Sequence, residues 1–265
     1  MARAALVAVR RGARAVAAIA AIAAIATAGA AGWLWLRSTG RFEARHILVT
    51  GSARIGGDEV ARRAGLVPGT NLFALSLTEV EGALLENPWI EEVRAHRQLP
   101  DRLLVEIREK RPAALVLADS PYLAAEDGRP FKRARLERGE ADGLPVVTGI
   151  ERGLFSEHPA AAHALVRHAL ALVAAWQAAP ERPAIGEVHL SEDGATLFTW
   201  KGGVGVRLGR VVAGVGDGPG ELEARLRRFD EVWAALSEEE RAVVKTVYLD
   251  GTTRPDRVTV RLARE

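Results

Sequence analysis

Residues 86–112 read Glu86-Asn87-Pro88-Trp89-Ile90-Glu91-Glu92-Val93-Arg94-Ala95-His96-Arg97-Gln98-Leu99-Pro100-Asp101-Arg102-Leu103-Leu104-Val105-Glu106-Ile107-Arg108-Glu109-Lys110-Arg111-Pro112, and this stretch decides the fold. Asn87-Pro88 stops a helix, because proline disfavours helical backbone in the residue before it. Trp89 to Arg97 and Leu103 to Arg108 then read as strands. Gln98-Leu99-Pro100-Asp101-Arg102 joins them, its proline and aspartate suiting a hairpin turn. In the second strand Leu103, Val105 and Ile107 alternate with Leu104, Glu106 and Arg108, the pattern of a sheet with one face covered by helices.

Upstream, Ile47-Leu48-Val49-Thr50 before Gly51 reads as a short strand ending in a turn. Asp58 is expected to cap a helix running to about Ala64, closed by Gly65 and Pro68-Gly69. Thr78-Glu79-Val80-Glu81 matches a capping box, with Val80, Leu84 and Leu85 on one face of a second helix. The order over 42–111 is therefore strand, helix, helix, strand, strand.

Downstream, Ala113–Ala118 reads as a strand, and Asp127-Gly128 as a hairpin signal between Tyr122–Ala125 and Pro130-Phe131-Lys132. Arg133 to Gly143 is expected to be an exposed loop. Ser156 is expected to cap an alanine-rich helix to about Ala178, with Leu165, Ala169, Leu172, Val173 and Trp176 as its buried stripe. Three strands follow, Gly186–Ser191, Ala195–Trp200 and Val204–Leu208, and their short turns at Asp193-Gly194 and Lys201-Gly202-Gly203 predict an antiparallel meander. Beyond a glycine-rich loop, Pro219 opens an amphipathic helix with Leu222, Leu226, Phe229, Trp233 and Leu236 on one face. Ser237-Glu238-Glu239-Glu240 is a second capping box, before a terminal strand pair, Val243–Leu249 and Arg257–Leu262.

Residues 42–111 resemble the POTRA domain of the FtsQ/DivIB bacterial cell-division proteins. The resemblance is carried by Pro88-Trp89-Ile90, Val93-Arg94, and Pro100-Asp101-Arg102-Leu103 with Val105, Ile107, Glu109, Arg111 and Pro112. Val49-Thr50-Gly51 and Gly69-Thr70-Asn71-Leu72-Phe73 are similar to the family's first strand and inter-helix loop. The likeness continues through Asp127-Gly128, Leu144-Pro145 with Gly149, Val206-Arg207-Leu208-Gly209, and Leu226, Arg228 and Phe229. One position departs: where family members carry Asp-x-Arg-Tyr this chain has Tyr248-Leu249-Asp250-Gly251, so a contact made by that tyrosine does not transfer.

From Ala15 to Leu36 no residue is charged. Such a run covers a hydrocarbon core of about 30 Å at 1.5 Å per residue. Trp33 and Trp35 suit an interfacial belt, and Arg37 closes the run. A cleaved secretory signal is the alternative, with small-residue sites at Ala28-Gly29-Ala30-Ala31-Gly32, but the apolar run outlasts a signal's hydrophobic region and continues past those sites. Arg3, Arg10, Arg11 and Arg14 precede it without any acid, predicting a cytoplasmic N-terminus.

The chain has 265 residues, 48% hydrophobic and 26% charged, with no cysteine and a formal charge of +2. That length and composition bury a core without metal or disulfide staples. The pI of about 9.3 invites a nucleic-acid reading. Removing the four N-terminal arginines from the 36 basic residues leaves 32 against 34 acidic ones, a formal −2 after Leu36. The electrostatic term that dominates nucleic-acid affinity is thus missing.

No catalytic pattern emerges. His158, His163 and His168 lie five apart, which turns successive rings by about 140° around a helix, unlike a metal-binding i, i+4 pair. The glycine runs 203–209 and 214–220 miss dinucleotide and phosphate-loop spacings, and there is no Gly-x-Ser-x-Gly elbow. The expectation is a non-enzyme with no cofactor, no metal, no small-molecule substrate and no nucleic acid.

A terminal strand pair can instead leave an edge open to a partner strand. FtsQ/DivIB resemblance implies binding of the small bitopic proteins FtsB (DivIC) and FtsL, the former adding a strand at the last sheet edge. The candidate contacts are Tyr248, Leu249, Val258, Val260 and Leu262, with Arg257 and Arg261 facing acidic partner residues. For any one apolar member, packing into the core is an equal alternative. The edge Ile47–Thr50 is a second docking candidate.

The expected protein is α+β: a cytoplasmic tail at 1–14, one transmembrane helix at 15–36, a POTRA domain at 42–111, and an FtsQ/DivIB-type domain with a long antiparallel sheet at 112–265. The resemblance implies a bitopic scaffold of the divisome in the bacterial inner membrane, its C-terminal domains periplasmic and enriched at the septum. The alternative is a POTRA-containing secreted or anchored accessory of polypeptide transport.

Overall fold

A computed structural model describes residues 2–67, 69–200, 203–210, 220–251 and 258–263, with side chains at Arg14 and from Val16 onward. The chain divides into two compact units, Met1–Glu109 and Lys110–Glu265.

The first unit begins with helix α1 (Ala2–Ser38), of which Val16–Ser38 is long and apolar enough to cross a membrane. It continues through β1 (His46–Thr50), α2 (Gly57–Arg63), α3 (Leu77–Leu85), β2 (Ile90–Gln98) and β3 (Arg102–Glu109). The sheet order is β1-β3-β2, with β1 parallel and β2 antiparallel to β3. Val93 pairs with Ile107 and Ala95 with Val105, and these buried members meet Val60, Leu72, Val80 and Leu84 from the helical layer. The alternation of Leu103, Val105 and Ile107 thus becomes the floor of a core.

Both helix starts differ from expectation by about a turn or less. Gly56, not Asp58, occupies the α2 cap, and Asp58 sits in the first turn, where its charge favours the helix dipole. Ser76, not Thr78, caps α3 by accepting a hydrogen bond from the Glu79 amide. Glu81 is consequently free to accept from the Ala95 N–H at 2.7 Å, satisfying an amide of β2.

The second unit comprises β4 (Ala114–Leu117), β5 (Pro121–Ala124), β6 (Pro130–Arg133), β7 (Val146–Thr148), α4 (Arg152–Glu157), α5 (Pro159–Gln177), β8 (Ile185–Ser191), β9 (Gly194–Thr199), β10 (Gly205–Gly209), α6 (Glu221–Ala235), α7 (Glu238–Val243), β11 (Val244–Tyr248) and β12 (Thr259–Leu262). One nine-stranded sheet runs β12-β11-β10-β9-β8-β7-β4-β5-β6. The β8-β9-β10 meander is antiparallel, as its tight turns dictate. The sheet as a whole is mixed rather than antiparallel, because β4–β7, β7–β8 and β10–β11 are parallel. Parallel neighbours need long crossovers, and α4–α5 and α6–α7 supply two of them.

The expected single helix from Ser156 is two. Ser156 lies inside α4, and Pro159 starts α5, since proline has no N–H to continue the earlier turn. The buried stripe of α5 is Ala162, Val166, Ala169, Leu172, Val173 and Trp176. Val166 replaces Leu165, which is exposed. Helix α6 buries Leu226 and Phe229, and the capping box at Ser237 forms with Glu240 as expected. The glycine-rich loop 211–219, including Pro219, lies outside the described residues. Gly149 ends β7 at φ +85, where a Cβ would stand 1.8 Å from the Leu190 carbonyl oxygen, so only glycine fits this step.

The stretch 133–143 is not a wholly exposed loop. It includes a 3-10 turn at Leu136–Arg138, and Glu140 folds back on Lys132, both side chains being nearly buried. Burial alone would raise the Glu140 pKa, but the Lys132 hydrogen bond, the Arg135 amide and their charges hold it below its ordinary 4.5. A depressed folded pKa means that the pair's stabilisation is complete above pH 4.5 and is lost as pH falls through the folded value. Glu140→Gln should destabilise this unit by about 1–3 kcal/mol at neutral pH. The gap to the unsubstituted protein should close below pH 4.5, as read from melting temperature against pH.

Candidate partner-binding edge

Strand β12 is one outer edge of the nine-stranded sheet. A strand bonded on one side alone turns every second N–H and C=O outward, and these groups can template another strand. The pairing register places Thr259 beside Tyr248, Val260 beside Val247 and Leu262 beside Val244.

This register sorts the expected contact residues. Val260 shares the face of buried Val247, and both Val258 and Val260 pack against the core. Leu249 is only 3% exposed and belongs to that core. Leu262 is 48% exposed, and Arg261 is exposed. Tyr248 is half-buried on the opposite sheet face, its ring 5.7 Å from the guanidinium of Arg207, which pairs with Asp250 at 3.2 Å. Arg257 lies outside the described residues. The structure thus brings Tyr248, Arg261 and Leu262 to accessible positions by the edge, and places Leu249, Val258 and Val260 where their side chains support it from within.

Sequence reading missed a cleft of about 670 Å³ at one end of this sheet. It lies where β10 and β11 end and α6 begins. Arg207, Arg210, Arg225 and Arg228 line it with Asp193, Glu221 and Asp250. Arg225 is tied down by bonds to the Leu208 carbonyl and to Glu221. Arg210 donates to the Glu192 carbonyl at 3.0 Å. Arg207 pairs with Asp250 and Arg225 with Glu221, and the four guanidinium groups exceed the three carboxylates by one. Four segments contribute, around 193, 207–210, 221–228 and 249–251, and only the short-range pairs Arg207 with Arg210 and Arg225 with Arg228 hinted at a basic face.

Two family models match the chain: the FtsQ-type POTRA domain over residues 42–110, and the C-terminal domain of cell division protein FtsQ/DivIB over residues 114–250. The chain is 36% identical over 222 residues to a cell division protein FtsQ of Anaeromyxobacter sp. (strain K), covering 83% of this chain and 71% of that one. The chain belongs to the FtsQ family. A Myxococcus fulvus FtsQ is 32% identical over 231 residues, covering 86% and 77% of the two chains. One from Syntrophotalea carbinolica is 31% identical over 198 residues, covering 74% and 66%. The FtsQ-type C-terminal match ends at residue 250, so β12 lies beyond it while the lining arginines of the cleft lie within it.

Proposed function

We propose that this protein is a non-enzymatic, single-pass scaffold of the divisome, with residues 1–14 in the cytoplasm, 15–36 spanning the inner membrane and the domains at 42–111 and 112–265 in the periplasm at the septum. A short bitopic partner of the FtsB/DivIC type adds a strand along β12, and an FtsL-type partner joins through it, so that septal peptidoglycan synthesis is assembled and regulated by contact. The observation carrying this reading is the outer position of β12, whose neighbour β11 ends at an arginine-lined cleft. Backbone pairing supplies affinity without any one side chain, while the charge of Arg207, Arg210 and Arg261 selects an acidic partner and sets its direction.

Tyr248 and Leu262 flank that edge as further contacts, Arg257 remains a candidate contact from the sequence, and Leu249, Val258 and Val260 hold the edge's shape. Arg210→Glu, at the rim, should weaken partner binding by roughly ten-fold with a steeper loss at low salt, measured by calorimetric titration. Depletion of the protein followed by microscopy tests the cellular role. Filaments lacking septa are expected, and normal septation after complete loss would overturn the division assignment.

A further inference from the structure

The end of the POTRA domain nearest α1 is built unlike its other end. The α1 C-terminus leaves carbonyls without helical partners, and Asn71 satisfies two of the acceptors there, its Nδ2 donating to the Leu36 and Thr39 oxygens at 2.9 Å each. Phe73 packs edge-on against Trp33 of α1, centroids 6.2 Å apart, and against Phe42 at 5.0 Å. The Ala44 amide donates to the Thr70 carbonyl and the Leu72 amide to that of Phe42. The connection between α2 and α3 is therefore fastened to the last turn of α1.

The β2–β3 hairpin reaches the same end. The amides of Arg45 and His46 both donate to the Asp101 carbonyl, and Arg97 donates to the Leu72 and Leu75 carbonyls at 2.6 Å. Two apolar side chains stand out from these turns: Val67, 66% exposed, and Leu99, 52% exposed. Thr70 holds the first turn by exchanging bonds with the Val67 backbone. Segments 37–46, 64–76 and 97–102 meet here and carry Arg37, Arg41, Arg45, Arg97 and Arg102 against Glu43 and Asp101. The turns at the opposite end, 51–56 and 86–89 with 109–111, carry Arg54, Lys110 and Arg111 against Glu86 and Glu109, a smaller excess of positive charge.

We infer that this end of the POTRA domain docks on an anionic phospholipid surface, through Val67 and Leu99 as apolar tips within a ring of arginines. The inference rests on the membrane-spanning reading of α1. With Val16–Ser38 across a hydrocarbon core of about 30 Å, the last turn of α1 lies at headgroup depth. Any side chain fastened to that turn lies there too. Apolar tips with flanking cations are what such an interface accepts. The domain is thereby held upright by its own foot as well as by its tether.

The chain contains no cysteine, so single-thiol variants report one position each. The test uses the full chain in proteoliposomes of phosphatidylcholine and phosphatidylglycerol, with an environment-sensitive NBD label at Val67→Cys, Leu99→Cys, Ile25→Cys or Glu86→Cys. Labels at 67 and 99 should show blue-shifted emission and lose intensity to headgroup nitroxide lipids, while the label at 86 should not. Replacing phosphatidylglycerol by phosphatidylcholine should reduce that loss; an unchanged loss overturns the anionic preference. If the label at 25 is quenched by acyl-chain nitroxides but 67 and 99 behave like 86, the docking is wrong and the span stands. If the label at 25 is not quenched, the span itself fails and the docking falls with it.

Discussion

Proline substituted at Thr259 or at Leu262 should separate partner binding from folding. Amides along a strand alternate between its two edges, so one of these prolines removes an N–H that faces β11 and the other removes one that faces outward. The outward one should weaken binding of an FtsB-type ectodomain by about 10–100-fold, the equivalent of one unmade main-chain bond at 1–3 kcal/mol. Its melting temperature should stay close to that of the unsubstituted protein. The inward one should release β12 from β11 and lose both stability and binding. Calorimetric titration paired with thermal melts reads the two effects. Unchanged affinity in both variants would remove β12 from the interface.

Trp176→Ala should produce the largest loss of stability in the second unit. Trp176 is fully buried at the end of α5, its ring 4.6 Å from that of Phe229, and its Nε1 donates to the Pro183 carbonyl at 2.7 Å. Arg182 stands over the same ring and ties the corner together. It forms a two-bond pair with Asp230 of α6 at 2.7 Å and donates to the Ala175 and Trp176 carbonyls at the end of α5. Removing a buried aromatic of this kind costs about 3–5 kcal/mol. For a unit of this size that is a fall of roughly 10 °C in melting temperature. Trp176→Phe keeps most of the apolar contact and gives up mainly the hydrogen bond, so it should lose about 1 kcal/mol. The core of the first unit contains none of these residues, so its own transition should not move.

What was legible in the sequence follows from how local each signal was. The alternation at Leu103, Val105 and Ile107 and the Ser237 capping box depend on neighbours a few residues away, and both appear as read. The β8–β9–β10 meander was equally local, set by turns too short for any other pairing. Parallel pairing of β4 with β7 was not, because it joins strands separated by a hairpin and the Lys132–Glu140 fold-back. At one turn of α5 Val166 is buried in place of Leu165 while Ala169, Leu172, Val173 and Trp176 hold, because an alanine-rich helix has apolar residues on several faces and tertiary packing chooses among them. For the candidate edge, a period of two shows that Val258, Val260 and Leu262 share a face, but not which face is covered; that depends on α6 and β11. The arginine cleft is gathered from four segments, and its short-range arginine pairs did not show that the segments meet.

Amide hydrogen exchange of the full chain, with and without an FtsB-type partner, tests the central claim most directly. The account predicts that outward amides within Thr259–Leu262 exchange fast alone and slowly in the complex, with the amides of β1 at Ile47–Thr50 unchanged. Protection that appears at β1 or β6 while Thr259–Leu262 exchange as before would contradict it.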